Sequence, residues 1–261
     1  MNSILLTVII LASIGLLSGI ILCVAAILMA VKKDETAEKI EAVLPGANCG
    51  ACGFSGCSGY ADALAKGDET STVLCAPGGA AAAEQVAQIL GKSAGDFKRK
   101  YAVVLCRGNN ETTEKTYDYN GIKSCVSANR LFGGESSCKF GCIGYGDCVS
   151  VCDFGAIKVE NGLANVDTAI CSGCGKCVTA CPKRLIELHS NPDSLDVFCK
   201  NKSKGANTKK DCKVGCVGCM LCVKACEHNA IEVVDFCAVI DNEKCIGCGK
   251  CADVCPQKCI F

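Results

Sequence analysis

Hydrophobic residues form one unbroken block at the start of the chain and only short runs after it. No charged residue falls between Ile4 and Val31. At ~1.5 Å per residue, a helix over that stretch exceeds the ~30 Å hydrocarbon core of a bilayer. Lys32 and Lys33 follow at once and no Lys or Arg precedes the block, so the positive-inside rule puts the remainder in the cytoplasm. A cleaved signal peptide would need a basic leading region and a shorter apolar run, and neither is present. Beyond the block, Asp34 to Leu44 reads as an amphipathic helix stopped by Pro45-Gly46. A Gly-rich loop, 47–59, follows, and helices are expected over 60–66 and 80–90. Tyr101 to Cys106 predicts a short strand, and 109–120 is polar and exposed. Ala156 to Val159 and Ile231 to Val234 predict further strands.

Composition changes this picture sharply. The 261 residues include 27 cysteines, no Trp and 5% aromatics, so an aromatic-rich core is excluded and another source of cohesion is needed. Metal ligation supplies it, because ligand-binding energy is folding energy. Disulfides belong to oxidising compartments, which the charge asymmetry around the apolar block argues against. A formal net charge of zero gives nucleic-acid binding no electrostatic support.

The cysteines recur in a repeat. Cys138-Lys-Phe-Gly-Cys-Ile-Gly parallels Cys212-Lys-Val-Gly-Cys-Val-Gly, and Cys171-Ser-Gly-Cys-Gly-Lys-Cys parallels Cys245-Ile-Gly-Cys-Gly-Lys-Cys. The later runs end in Cys181-Pro182 and Cys255-Pro256, which completes the bacterial-ferredoxin spacing twice. In that spacing three clustered thiolates hold one [4Fe-4S] cubane and the fourth Cys crosses to the other cluster. The crossed rule assigns Cys152, Cys171, Cys174 and Cys177 to one site. Cys216, Cys219, Cys222 and Cys255 form a second, and Cys226, Cys245, Cys248 and Cys251 a third. Zinc sites more often pair distant Cys-x2-Cys units or include His, and neither His189 nor His228 lies in a run. Cys49, Cys52, Cys57 and Cys75 form a separate constellation, read as one more cubane against structural zinc.

One site is irregular. Cys142, Cys148 and Cys181 leave a corner open, because Tyr145 stands where the second unit has Cys219. Cys138, four residues before Cys142, is the expected fourth ligand, which leaves its counterpart Cys212 spare. Five [4Fe-4S] clusters then account for twenty thiols, and Cys106, Cys125, Cys199 and Cys212 are open to a sixth metal site or a thiol pair. Six lysines between Lys200 and Lys213 read either as a solvated linker or as a flexible loop steering an acidic partner.

These elements resemble the B subunit of the Rnf complex, the membrane-bound ferredoxin:NAD⁺ oxidoreductase. The resemblance rests on the apolar anchor, on Asn48-Cys-Gly-Ala-Cys-Gly-Phe-Ser-Gly-Cys57 with Cys75, and on Cys138-Lys-Phe-Gly-Cys-Ile-Gly-Tyr-Gly-Asp-Cys148. The second unit matches the longer form of that subunit. The resemblance implies an α+β protein: an anchor (1–31), a small 4Fe-4S domain (32–100), a connecting segment (101–130) and two ferredoxin-like domains (131–190 and 191–261). It further implies an electron-transfer subunit of a Na⁺- or H⁺-moving translocase, with no bond-making site of its own. Its partners would be soluble ferredoxin as donor and the other membrane subunits of the complex. The chain would cross the cytoplasmic membrane once, with its bulk on the cytoplasmic side.

Overall fold

The computed structural model describes residues 3–28 and 34–261. Lys32 and Lys33, on which the expected orientation rests, lie outside the described residues. Helix α1 (Ser3–Leu28) carries a span from Val8 to Ala25 with a mean hydropathy of 2.8 and no part of it buried, so it is long and apolar enough to cross a membrane.

Three short helices build the first cysteine-bearing unit: α2 (Glu35–Val43), α3 (Cys57–Lys66) and α4 (Gly79–Ile89). Asp34 caps α2 by accepting from the Thr36 amide at 2.8 Å. Gly67 ends α3 in the left-handed conformation that spares glycine a Cβ clash. Ile40, Leu44, Tyr60, Leu64 and Val86 form the core, with Cys52, Cys57 and Cys75 packed against it. At the expected loop 47–59 the helix begins earlier than its apolar pattern suggests, because the Asn48 side chain accepts the Cys57 amide at 2.8 Å.

Two α+β units follow. The first contains β1 (Tyr101–Val104), α5 (Cys125–Asn129), α6 (Asp147–Ser150), β2 (Ile157–Glu160), β3 (Leu163–Val166), α7 (Lys176–Ala180) and β4 (Ile186–His189). β2 and β3 form a hairpin, and β1 pairs antiparallel with β4, Tyr101 opposite His189 and Val104 opposite Ile186. This pairing moves residues 101–104 out of the connecting segment expected over 101–130 and into the first ferredoxin-like unit. The four residues alternate half-buried and buried, so their inward side needs a partner strand, and β4 supplies it.

The second unit contains α8 (Gly205–Asp211), α9 (Leu221–Ala225), β5 (Ile231–Val234), β6 (Cys237–Ile240) and α10 (Lys250–Asp253). β5 and β6 form its hairpin, and a Val197–Ile260 bridge repeats the terminal pairing in shortened form. The two halves are joined at His189, whose Nδ1 lies 2.9 Å from Asp196 Oδ2, and at Arg107, which donates to the Lys258 carbonyl at 2.8 Å and lies over the Phe261 ring.

Cores of both units are made largely of cysteine and small aliphatics. Ala102, Ala156, Ile157, Leu185 and Ile186 surround Cys148, Cys171 and Cys177 in the first, and Val197, Ile231 and Ile260 surround Cys216, Cys222 and Cys251 in the second. Both cores therefore bury sulfur where a protein of this size usually buries aromatic rings.

Candidate metal centres

The short helices α6, α7, α9 and α10 each begin after a residue with positive φ: Gly146, Gly175, Met220 and Gly249. That reversal turns the preceding loop back across the helix start, so the loop cysteines and the first-turn cysteine face one space. Of these positions only Met220 carries a Cβ, and an αL conformation costs an ordinary residue roughly 1–2 kcal/mol.

In the first unit, Cys152, Cys171, Cys174 and Cys177 line one cavity of about 310 Å³. In the second, Cys216, Cys219, Cys222 and Cys255 line another of about 340 Å³. Cys245, Cys248 and Cys251 lie within electrostatic reach of one another, and Cys226 packs into the core that contains Cys251. Cys75 is likewise grouped with Cys49, Cys52 and Cys57. The structure thus brings together the cysteines of three expected groups, and for the Cys226 group it brings together Cys245, Cys248 and Cys251.

The irregular site departs from expectation. Its cavity, about 410 Å³, is lined by Cys142, Cys148, Cys181 and Cys125, and Cys138 is not among its walls. The reason is local. Asp147, at the start of α6, receives the Cys125 amide at 2.9 Å, the Val126 amide at 3.0 Å and the Ser124 hydroxyl at 2.9 Å. One carboxylate thus holds the start of α5 and sets Cys125 in the wall of this cavity. Tyr145 helps: its ring packs at a tilt against Tyr119, centroids 5.9 Å apart, and so contacts the inserted segment that carries Cys125. Cys138 instead borders a separate cavity with Cys106, Cys199 and Cys212, and Cys212, expected to be spare, is buried there.

The lysine-rich segment is likewise not a free loop. Lys200 pairs with Glu187, Lys202 with Asp235 at 2.9 Å, and Lys209 and Lys210 sit in the last turn of α8, where the helix dipole favours them.

Donor chemistry fits iron–sulfur clusters. All 27 cysteines are free of disulfides. Burial and neighbouring sulfurs push the Cys148 thiol up to about 12 and those of Cys177 and Cys222 to about 11. Such crowded thiols become thiolates only with a cation among them. Backbone amides donate to the sulfurs of Cys171, Cys181, Cys216 and Cys226 at 3.4–3.5 Å, which are the contacts that hold and tune a cluster ligand. The neighbouring Cys237 and Cys259 thiols favour the Cys216 thiolate and hold its thiol below the ordinary range. Among the described residues, no group of three or more His, Cys, Asp or Glu is arranged around a single metal ion. The thiols instead border spaces of a few hundred Å³.

Tandem hairpin units whose thiols enclose such spaces define an iron–sulfur protein with ferredoxin-like repeats. Family comparison agrees: residues 44–73 match a family described as a putative Fe-S cluster, 147–192 the LdpA Fe-S cluster-binding domain, and 238–261 a 4Fe-4S binding domain. The whole chain is 36% identical to the B subunit of the ion-translocating oxidoreductase complex of Methanosarcina acetivorans, covering 99% of that protein. It is 42% identical to the B subunit of the Na(+)-translocating ferredoxin:NAD(+) oxidoreductase complex of Acetobacterium woodii, covering 78%, and 41% identical to the proton-translocating counterpart of Clostridium ljungdahlii, covering 93%. The chain belongs to the family of B subunits of ion-translocating oxidoreductase complexes.

Proposed function

We propose that this chain is a membrane-anchored electron-transfer subunit. It accepts electrons from reduced ferredoxin and passes them, through [4Fe-4S] clusters, to partner subunits of an ion-translocating ferredoxin:NAD⁺ oxidoreductase. The observation that carries this reading is the succession of thiol-lined spaces through the chain. Cys49, Cys52, Cys57 and Cys75 hold the first cluster. Cys125, Cys142, Cys148 and Cys181 hold the second, and Cys152, Cys171, Cys174 and Cys177 the third. Cys216, Cys219, Cys222 and Cys255 hold the fourth, and Cys226, Cys245, Cys248 and Cys251 the fifth. When bound, the clusters supply one-electron carriers, and the chain's own part is to hold, space and insulate them.

Neighbouring groups in the chain support a continuous path. Lys176 lies close to both Cys174 and Cys49, which brings the first unit beside the third site. Arg99 reinforces the junction by donating to the Thr168 and Ala169 carbonyls at 2.8 and 2.7 Å. Cys148 and Cys177 share one core, as do Cys222 and Cys251. Cys219 and Cys248 are exposed, beside the exposed apolar side chains of Met220, Leu221 and Ile246. That end suits contact with a soluble donor. Helix α1 holds the other end at the membrane, crossing it once with the bulk of the chain on the cytoplasmic side.

Anaerobic purification with iron, sulfide and zinc analysis tests the reading, together with stopped-flow mixing against reduced ferredoxin. Iron and sulfide in equal amounts, bleached within the mixing experiment, is the expected result. A chain holding zinc without sulfide would overturn it.

A further inference from the structure

The cavity beside Cys138 has the dimensions and walls of the other centres. Cys106, Cys138, Cys199 and Cys212 all border it, and its volume of about 390 Å³ falls inside the 310–410 Å³ range of the other thiol-lined cavities described above. A Cβ placed on Gly108 would lie 3.5 Å from the Cys212 sulfur and 3.7 Å from that of Cys106, so the lack of a side chain there keeps the space open.

The four cysteines are also two equivalent pairs. Cys106 follows β1, and its amide turns back to the Val104 carbonyl at 2.8 Å. Cys199 follows the Val197 bridge strand, and its amide turns back to the Val197 carbonyl at 2.8 Å. Cys138 and Cys212 open the two copies of the Cys-Lys-x-Gly-Cys run, and each accepts a glycine amide on its carbonyl, from Gly141 at 3.2 Å and Gly215 at 3.3 Å. Each ferredoxin-like unit therefore contributes the same two positions to one shared space.

Hydrogen bonding marks these sulfurs as well. Outside the five sites, the thiols that accept an N–H among the described residues are Cys199, from the Asn201 amide at 3.5 Å, and Cys138, from the Asn201 side-chain amide at 3.6 Å. Asn201 is 1% exposed and lies between the two sulfurs, so it ties a thiol of one unit to a thiol of the other. The insertions that shape the cavity are fastened together around it: Ser137 donates to the Asp211 carbonyl at 2.7 Å, and the Lys213 amide to the Thr112 carbonyl at 2.9 Å.

We infer that Cys106, Cys138, Cys199 and Cys212 bind a sixth iron–sulfur cluster, shared between the two ferredoxin-like units. The inference rests on the iron–sulfur reading of the chain and adds a centre that no ferredoxin run predicts. Soft thiolates from four directions suit iron–sulfur ligation, and their protons leave to solvent as the cluster binds. The location gives it a purpose. Cys142, of the second site, borders the same cavity. On the other side the Cys237 thiol donates to the Cys199 carbonyl at 3.1 Å and shares a core with Cys216, a proposed ligand of the fourth site. The shared centre thus lies between the units, where their own four sites leave a gap.

The test uses full-length protein in detergent, purified anaerobically, with iron, acid-labile sulfide and zinc counted per chain and EPR recorded after reduction. Six cubanes give about 24 Fe in the wild type, against about 20 without the shared centre. Cys212→Ser and Cys106→Ser are each expected to lose up to four Fe, or to convert one cluster to a three-iron form with its own oxidised-state EPR signal. Both variants should keep the remaining five centres, and Cys23→Ser should change nothing. A wild type with about 20 Fe, unaltered in both variants, would overturn the sixth site while leaving the five-cluster reading intact. One zinc lost in place of iron would overturn it too. A wild type devoid of iron and sulfide would instead defeat the reading of the whole chain.

Discussion

The hinge between the ferredoxin-like units is fastened by a protonated imidazole. His189, at the end of β4, is 6% exposed, with Asp196 2.9 Å from Nδ1 and Glu187 3.7 Å from Nε2. Hydrogen bonds to Asp196 first, and to Glu187 next, outweigh burial and raise its pKa from 6.5 to about 9. A raised pKa stabilises the closed, protonated form fully below pH 6.5, and that contribution is lost as pH rises through 9. Moving an imidazole between those values corresponds to about 3 kcal/mol, or on the order of three hundredfold in the closed-to-open ratio. Glu187 stays on the same strand when the hinge opens, so opening forfeits only the Asp196 share. His189→Gln should therefore raise the open fraction ten- to a hundredfold at pH 6.5 and scarcely at all at pH 10. Anaerobic limited proteolysis within residues 190–195 reads this, since cleavage tracks the open population when closing is fast. Taking the variant-to-wild-type ratio of cleavage rates at each pH cancels the protease's own pH dependence. A ratio that stays flat from pH 6 to pH 10 would show that the imidazole does not fasten the hinge.

Three further outcomes are expected. Cys125→Ser should lose about four Fe per chain by iron and sulfide analysis, because it removes a ligand of the second site. Gly173→Ala should lower thermal stability by at least ~1 kcal/mol and reduce iron at the third site. Gly173 has φ +70°, and its Cβ would lie 2.4 Å from the Lys100 carbonyl oxygen, which differential scanning fluorimetry with iron analysis can check. Deleting residues 1–31 should abolish flotation with liposomes yet leave iron content unchanged, since every proposed ligand lies downstream.

Much of the molecule was legible because ferredoxin runs are local. Cys171, Cys174 and Cys177 need only a left-handed Gly175 and one helical turn to converge, and both are written within seven residues. One strand of each hairpin, β2 and β5, announced itself by a short apolar run, whereas the pairing with β3 and β6 was not predicted. Cys125 was not legible, because it reaches its corner from a polar insertion more than fifteen residues upstream of Cys142. What delivers it is a carboxylate, Asp147, capping a five-residue helix that has no hydrophobic signature of its own. A clue existed in Tyr145. Where the second unit has Cys219 the first has an aromatic ring, and that ring packs against Tyr119 of the insertion whose Cys125 borders the same cavity. Cys138, expected from its nearness in sequence to Cys142 to join that site, lies instead in the wall of the cavity bordered by its repeat counterpart Cys212. Strand β1 was visible as a strand but not as a member of the first unit, since its partner β4 lies more than eighty residues on.

The unequal covering of the two units sets how the protein ages in air. In the second unit Cys219 and Cys248 are exposed, whereas the first keeps its thiols half-buried or buried. Oxidants follow exposure and thiolate character, so decay begins at the outer end of the chain. A sample briefly exposed to oxygen will lose the fourth and fifth clusters first and keep the centres nearer the anchor. Such a sample will still be brown, still bind membranes and still show reducible iron, yet it will have lost the end proposed above to meet the electron donor. Colour and iron content will therefore overstate how much of a preparation is competent, and the loss will register earliest in the rate at which electrons enter.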